Sequence, residues 1–177
     1  LGSGPCGGKT SSLSILAEYF ETLGWKVYRV PETSSLLKGG GVVFEELTPE
    51  MSYSFQKSLL KTMLTIEDTY RQLGKLSAQA GRPTMLICDR GAMDPSAYMD
   101  REGWLRMLRE LGQDEAQLRD QRYDCVVHLV TAAKGAERFY GNANNMTRTE
   151  DVDTARNIDN ATMKAWMGHA GLQVVDN

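Results

Sequence analysis

Three cysteines, Cys6, Cys88 and Cys125, are too few and too odd in number to frame a disulfide-stapled fold. Cys88 and Cys125 stand in apolar, strand-like runs, which predicts reduced, buried thiols and a cytoplasmic setting. Only two histidines occur, and no His/Cys cluster has zinc-ligand spacing. No apolar run approaches the roughly 18 residues of a membrane span, and no secretory leader pattern is visible. A net charge of −3 makes no electrostatic case for nucleic acid as a partner. Internal repeats and low-complexity segments are absent. What remains is an ordinary globular composition, 41% hydrophobic and 24% charged, over 177 residues, the size of one domain with a sizeable core.

The chain is organised around Gly4-Pro5-Cys6-Gly7-Gly8-Lys9-Thr10, which reads as a phosphate-binding loop. Gly8, Lys9 and Thr10 fill the last three positions of G-x-x-x-x-G-K-[ST], while Ser3 stands where the first glycine belongs. Glycines let successive backbone N–H groups turn inward on an anion, and the following helix aims its positive end at the same point. Lys9 is expected to reach the β- and γ-phosphates and Thr10 to offer its hydroxyl to Mg²⁺, with Ser11 next in the same turn. The competing reading is a flexible glycine-rich leader, against which an amphipathic helix follows in the right place. A strand must feed such a loop, and only residues 1–3 precede the glycines. The first strand is therefore expected to be largely missing and the 177 residues to be a piece of a longer protein.

Apolar spacing at Leu13, Leu16, Ala17, Phe20 and Leu23 predicts a helix over 9–23, stopped by Gly24. A strand over 25–30 ends at Pro31, and Gly39-Gly40-Gly41 marks a loop. Thr48-Pro49-Glu50 is a helix start, and apolar residues from Phe55 to Leu76 carry that helix to about residue 80. Short apolar strands follow at 84–88, 125–130 and 172–175, separated by helices from Asp94, near 102–111 and over 150–167. Asp114 with Gln117 resembles a capping box. Strands alternating with helices predict a three-layer α/β P-loop fold: a parallel five-stranded sheet with helices on both faces, kinase-like with a lid. Ligands of such sheets sit beyond the carboxyl ends of the strands.

Those ends carry the candidate chemistry. Asp89, directly after an apolar strand, is placed to hold Mg²⁺ in the manner of a Walker B acid, or else caps a turn. Arg90 suits bidentate phosphate contact, or an ion pair with a neighbouring acid. Glu32 either takes a proton from, or anchors, an acceptor hydroxyl, or is a capping carboxylate after Pro31. Arg138 and Arg148 flank a polar Asn/Gly-rich segment that reads as a lid closing on the transferred phosphoryl, or as a solvated loop. Arg156 is a weaker candidate, His128 a core histidine and His169 a helix-end residue. No Asn-Lys-x-Asp segment reads guanine, so ATP and GTP both stay open.

Several separated motifs resemble the TRPL translocation defect protein family. The loop ending Gly8-Lys9-Thr10, the Cys88-Asp89-Arg90-Gly91-Ala92-Met93-Asp94 segment with Ala97-Tyr98, and residues 133–140 carry the likeness. So do Asn144-Asn145, Arg148 with Glu150, Ala165-Trp166-Met167-Gly168-His169 and the closing Val175-Asp176-Asn177. The resemblance implies a P-loop domain related to nucleoside and nucleotide kinases, usually followed by a CYTH-like domain, and an association with GTP, phosphoinositides and membrane-protein trafficking. Phosphoinositide binding maps onto none of these residues. The expected function is Mg²⁺-dependent binding of ATP or GTP with slow hydrolysis or phosphoryl transfer. The alternative is a non-catalytic, nucleotide-stabilised regulatory or scaffolding module acting with other proteins in a larger assembly.

Overall fold

The computed structural model describes residues 2–3, 9–133 and 152–176. Along them run β1 (Gly2–Ser3), α1 (Lys9–Thr22), β2 (Lys26–Val30), α2 (Thr33–Gly39) and α3 (Pro49–Gln79). Then come β3 (Thr84–Cys88), α4 (Arg101–Leu111), β4 (Val126–Leu129), α5 (Val152–Ala165) and β5 (Leu172–Val175). Short 3₁₀ turns occupy Phe44–Glu46 and Asp94–Tyr98, and a π turn occupies Gln117–Gln121.

The predicted alternation of strands and helices is present, and every strand pairing among the described residues is parallel. The single five-stranded sheet is not what those residues form. They make two sheets, ordered β1-β4-β5 and β2-β3. β1 is two residues long and, among the described residues, pairs with β4 alone, Gly2 opposite His128. In the second sheet Lys26 lies opposite Thr84 and Val30 opposite Cys88, which brings the ends of β2 and β3 level.

α3 is long because its start is well specified. The Thr48 hydroxyl accepts a hydrogen bond from the Met51 N–H at 3.3 Å, and Pro49 occupies the first turn, where its missing N–H costs nothing. Leu60 and Leu64 of α3 bury against Trp104, Met107 and Leu108 of α4 and against Trp166. Each such side chain contributes about 1.5–3 kcal/mol by leaving water. Gly74 lets α3 lie close over β3, since a Cβ there would meet Leu86 Cδ1 at 3.0 Å. A smaller cluster joins Ala17 of α1 to Val27 and Ile87.

Four details differ from the sequence expectation. α2 fills a stretch with no apolar period, ending where the glycine run begins. The segment from Asp94 is a 3₁₀ turn rather than an α-helix. α5 ends at Ala165, and Trp166 and Met167 lie in hydrogen-bonded turns beyond it. Cys125 is exposed, standing just ahead of β4 where the chain has not yet entered the core. Cys88 is half-buried, and burial pushes its thiol up to about 12.

Candidate nucleotide and acceptor site

Register decides which polar residues meet. Because Val30 lies opposite Cys88, Glu32 emerges two residues past one strand beside Asp89 and Arg90, which directly follow the other. Lys9, the first residue of α1, reaches the same place. All four line one cavity of about 730 Å³, walled further by α2, the first half of α3, the Asp94–Tyr98 turn and α4.

Arg90 is the pivot. It is the one non-glycine residue with positive φ among those described, at +79°. A left-handed backbone costs a side-chain-bearing residue on the order of 1–3 kcal/mol and persists only where surrounding contacts hold it. Here Arg90 Nε donates to Glu32 Oε1 at 3.2 Å, and a terminal nitrogen lies 4.0 Å from Asp94 Oδ2. The guanidinium is only 13% exposed. Burial opposes its charge, but Tyr98, Asp94 and Glu32 outweigh that and raise its pKa further.

Glu32 stands at the N-cap position of α2 yet caps no backbone N–H there. Its second oxygen instead accepts from Ser35 Oγ at 2.6 Å. Burial by itself raises its pKa, but Arg90, the Ser35 hydroxyl, Lys9 and Ser34 bring it down to about 2. The carboxylate is thus ionised, oriented and weakly basic.

Lys9 carries the complementary perturbation. Burial, then the nearby Arg90, lowers its ammonium to about 8 against the pull of Asp89, Glu32 and Asp94. Burial raises the pKa of Asp89, with Lys9 opposing and Glu32 reinforcing the shift. Asp89 Oδ1 is buried and has no hydrogen-bond partner. A buried carboxylate oxygen with nothing to accept from suits a cation. Mg²⁺ takes one or two carboxylates and completes its shell with phosphate oxygens and water.

The segment after Arg90 is fixed from two sides. Ala92 N–H donates to the Tyr123 hydroxyl at 2.7 Å, and that hydroxyl donates to Glu67 Oε1 at 2.8 Å. Arg122 Nε bonds the other Glu67 oxygen at 2.5 Å, so a buried acid on α3 is satisfied on both sides. From α5's end, Trp166 Nε1 donates to Asp94 Oδ1 at 2.6 Å. A Cβ on Gly91 would meet the Trp166 ring at 2.6 Å, so only glycine fits there. Sequence reasoning missed the supporting roles of Glu67, Tyr123 and Asp94. The one signal available was the Asp89-Arg90-Gly91-x-x-Asp94 pattern.

Of the remaining predicted residues, Thr10 and Ser11 lie in the first turn of α1, Ser11 exposed. Gly4, Pro5, Cys6, Gly7, Gly8, Arg138, Arg148 and the expected lid lie outside the described residues. Arg156 is turned to other work, its Nε on the Ala133 carbonyl at 2.6 Å and a terminal nitrogen 3.2 Å from Asp153. His128 is a core residue, fully buried with Nε2 3.1 Å from Asp159. His169 closes the turn after α5, accepting from Gly171 N–H and facing the Tyr123 carbonyl at 2.9 Å.

No curated protein matches the chain. A lysine heading a helix and, directly after a parallel strand, an acid with an orphaned carboxylate oxygen are of the kind that a P-loop nucleotide site uses. In keeping with them, a family model described as an AAA domain matches residues 3–176, and the chain belongs to the AAA domain family, with the P-loop α/β fold that implies.

Proposed function

We propose that this chain is a kinase-like domain that binds Mg²⁺ and a nucleoside triphosphate, ATP or GTP, and transfers the γ-phosphoryl to a small acceptor or, slowly, to water. The carrying observation is that Lys9, Asp89, Arg90 and Glu32 meet at one end of a single large cavity. The same cavity continues past these four residues along α3 and α4, which leaves room for an acceptor beside the phosphates. In this reading residues 4–8 cradle the phosphates, Lys9 neutralises their charge, and Thr10 and Asp89 hold Mg²⁺. The metal, when bound, offsets charge on the β- and γ-phosphate oxygens. Arg90 fixes Glu32, and Glu32 orients the acceptor hydroxyl. Arg138 and Arg148 close over the transferred group.

The same reading joins the two sheets. A cleft of about 860 Å³ separates β3 from β4, with Leu86, Ile87, Val126 and Val127 on its walls. An extended segment feeding the P-loop fits there and would give the five-stranded order β2-β3-β1-β4-β5.

One observation favours the non-catalytic alternative. A Glu32 carboxylate at about 2, tied to Arg90 and Ser35, is a poor proton acceptor, which suits a regulatory module with residual turnover. The resemblance to the TRPL translocation defect family supports that side as well. Incubating the protein with γ-labelled ATP or GTP, Mg²⁺ and a panel of alcohols separates the two readings. Label appearing on an alcohol, and lost in Asp89→Asn, supports transfer; label retained on nucleotide throughout favours the regulatory module.

A further inference from the structure

The acceptor end of the cavity has a composition that selects its occupant. Away from Lys9 its wall turns aromatic and apolar. Phe44 and Phe55 meet edge to face with ring centres 5.0 Å apart, and Tyr98, Leu59 and Met63 continue the surface. Within this wall Gln56 Oε1, on α3, is buried with no hydrogen-bond partner. Buried polar atoms are rarely left unsatisfied, and an orphaned amide in an aromatic chamber suits the donor edge of a flat, polar ring.

The cations of the wall are already engaged. Its basic residues among those described are Lys9, Lys38, Arg90 and Arg106. Lys38 Nζ sits 4.4 Å above the Phe44 ring, and the Arg106 guanidinium 3.8 Å above Tyr53 with Glu110 at 3.7 Å. Arg90 is held by Glu32 and Asp94. Lys9 belongs to the nucleotide end. Around them stand Glu32, Asp94, Asp100 and Glu102, a fringe that repels a dianion.

We infer that this chamber takes an uncharged, hydroxyl-bearing compound with a planar heteroaromatic ring, the chemistry of a nucleoside, and discriminates against the corresponding nucleoside monophosphate. The inference rests on the proposed kinase-like reading for its reaction, though not for its binding. The ring lies along Phe44, Phe55 and Tyr98 with its polar edge at Gln56, and the sugar hydroxyl points to Glu32. In the transfer the hydroxyl oxygen forms a bond to the γ-phosphorus as the bridging bond to the β-phosphate breaks. A nucleoside diphosphate leaves, and the hydroxyl proton is released to solvent while Glu32 holds the hydroxyl in place.

Calorimetric titration of the protein with uridine, cytidine, adenosine and guanosine, and with their 5′-monophosphates, tests this without any turnover. At least one nucleoside is expected to bind ten-fold or more tighter than its monophosphate. Phe55→Ala and the milder Gln56→Leu are each expected to weaken that nucleoside at least five-fold while leaving Mg²⁺–nucleotide affinity unchanged. Tighter binding of the monophosphate overturns the inference. So does binding of no nucleoside at all, and a protein that still binds Mg²⁺–nucleotide would then keep the proposed function intact. Loss of nucleotide binding with nucleoside binding retained would instead sink the kinase-like reading alone.

Discussion

The indole N–H of Trp166, just past α5, donates to the carboxylate of Asp94 at 2.6 Å across 72 residues of chain. Asp94 is 4% exposed, and its other oxygen accepts from Gly91 N–H at 3.3 Å while facing the Arg90 guanidinium at 4.0 Å. One buried carboxylate therefore couples the C-terminal helix to the left-handed residue at the centre of the site. The end of α5 is part of the site's support although it touches none of the proposed ligands.

Trp166→Phe removes that donor while keeping most of the apolar ring. A buried carboxylate losing a charge-assisted hydrogen bond costs about 1–3 kcal/mol. Urea denaturation is expected to show a loss of that order. Acceptor phosphorylation or hydrolysis should fall more than Mg²⁺–nucleotide affinity, since Arg90 and Glu32 lose their reference point before Lys9 does.

Gly91→Ala tests the contact from the other side. The new methyl would lie 2.6 Å from Trp166 Cζ2 and 3.0 Å from its neighbouring ring carbon, too close for a rigid ring to ignore. Overpacking of this kind costs about 1–3 kcal/mol. A measured loss under about 0.5 kcal/mol would mean that the loop and ring are not in contact as described.

The pH dependence of nucleotide affinity reports on Lys9. Its ammonium titrates near 8 in the ligand-free protein, and phosphate oxygens beside it must raise that value. Binding is then accompanied by proton uptake above about pH 8, and affinity falls as pH rises through that value. Calorimetry in two buffers of different ionisation enthalpy measures the uptake directly. For folding the sign is opposite. Between about 8 and 10.5 the unfolded chain holds a proton that the folded one has released, so stability rises with pH in that window.

Glu32 sets the acid limit. Its folded value of about 2 lies below its ordinary 4.5, so its contribution is complete above 4.5 and disappears as pH falls through 2. Its size is on the order of 3 kcal/mol. The stability gap between the native protein and Glu32→Gln is therefore expected at neutral pH and should close between pH 4.5 and 2.

Much of this arrangement is legible in the sequence where the physics is local. Thr48-Pro49 announces α3, Asp114 does accept the Gln117 N–H at 2.9 Å, and apolar runs mark the strands. The sequence offers an ion pair with a neighbouring acid as one of two readings for Arg90 but reads Glu32 as an acceptor-site acid or a cap, because only the β2–β3 register brings the two together. α2 was invisible because Thr33-Ser34-Ser35 has neither apolar period nor helix-forming preference; tertiary contacts override both there. The Glu67–Tyr123–Ala92 chain was equally hidden, since it links residues more than thirty positions apart through side-chain hydroxyl and carboxylate groups. Long-range polar support of this kind leaves no periodic trace.

The central claim is that Lys9 and Asp89 hold the phosphates and Mg²⁺ of a nucleoside triphosphate. A titration of ATP and GTP, each with Mg²⁺, into the native protein and Lys9→Ala tests it most directly. The account predicts micromolar binding of at least one nucleotide, weakened at least a hundred-fold by the substitution and by chelation of Mg²⁺. Equal affinity in the two proteins, or no binding of either nucleotide, would contradict it.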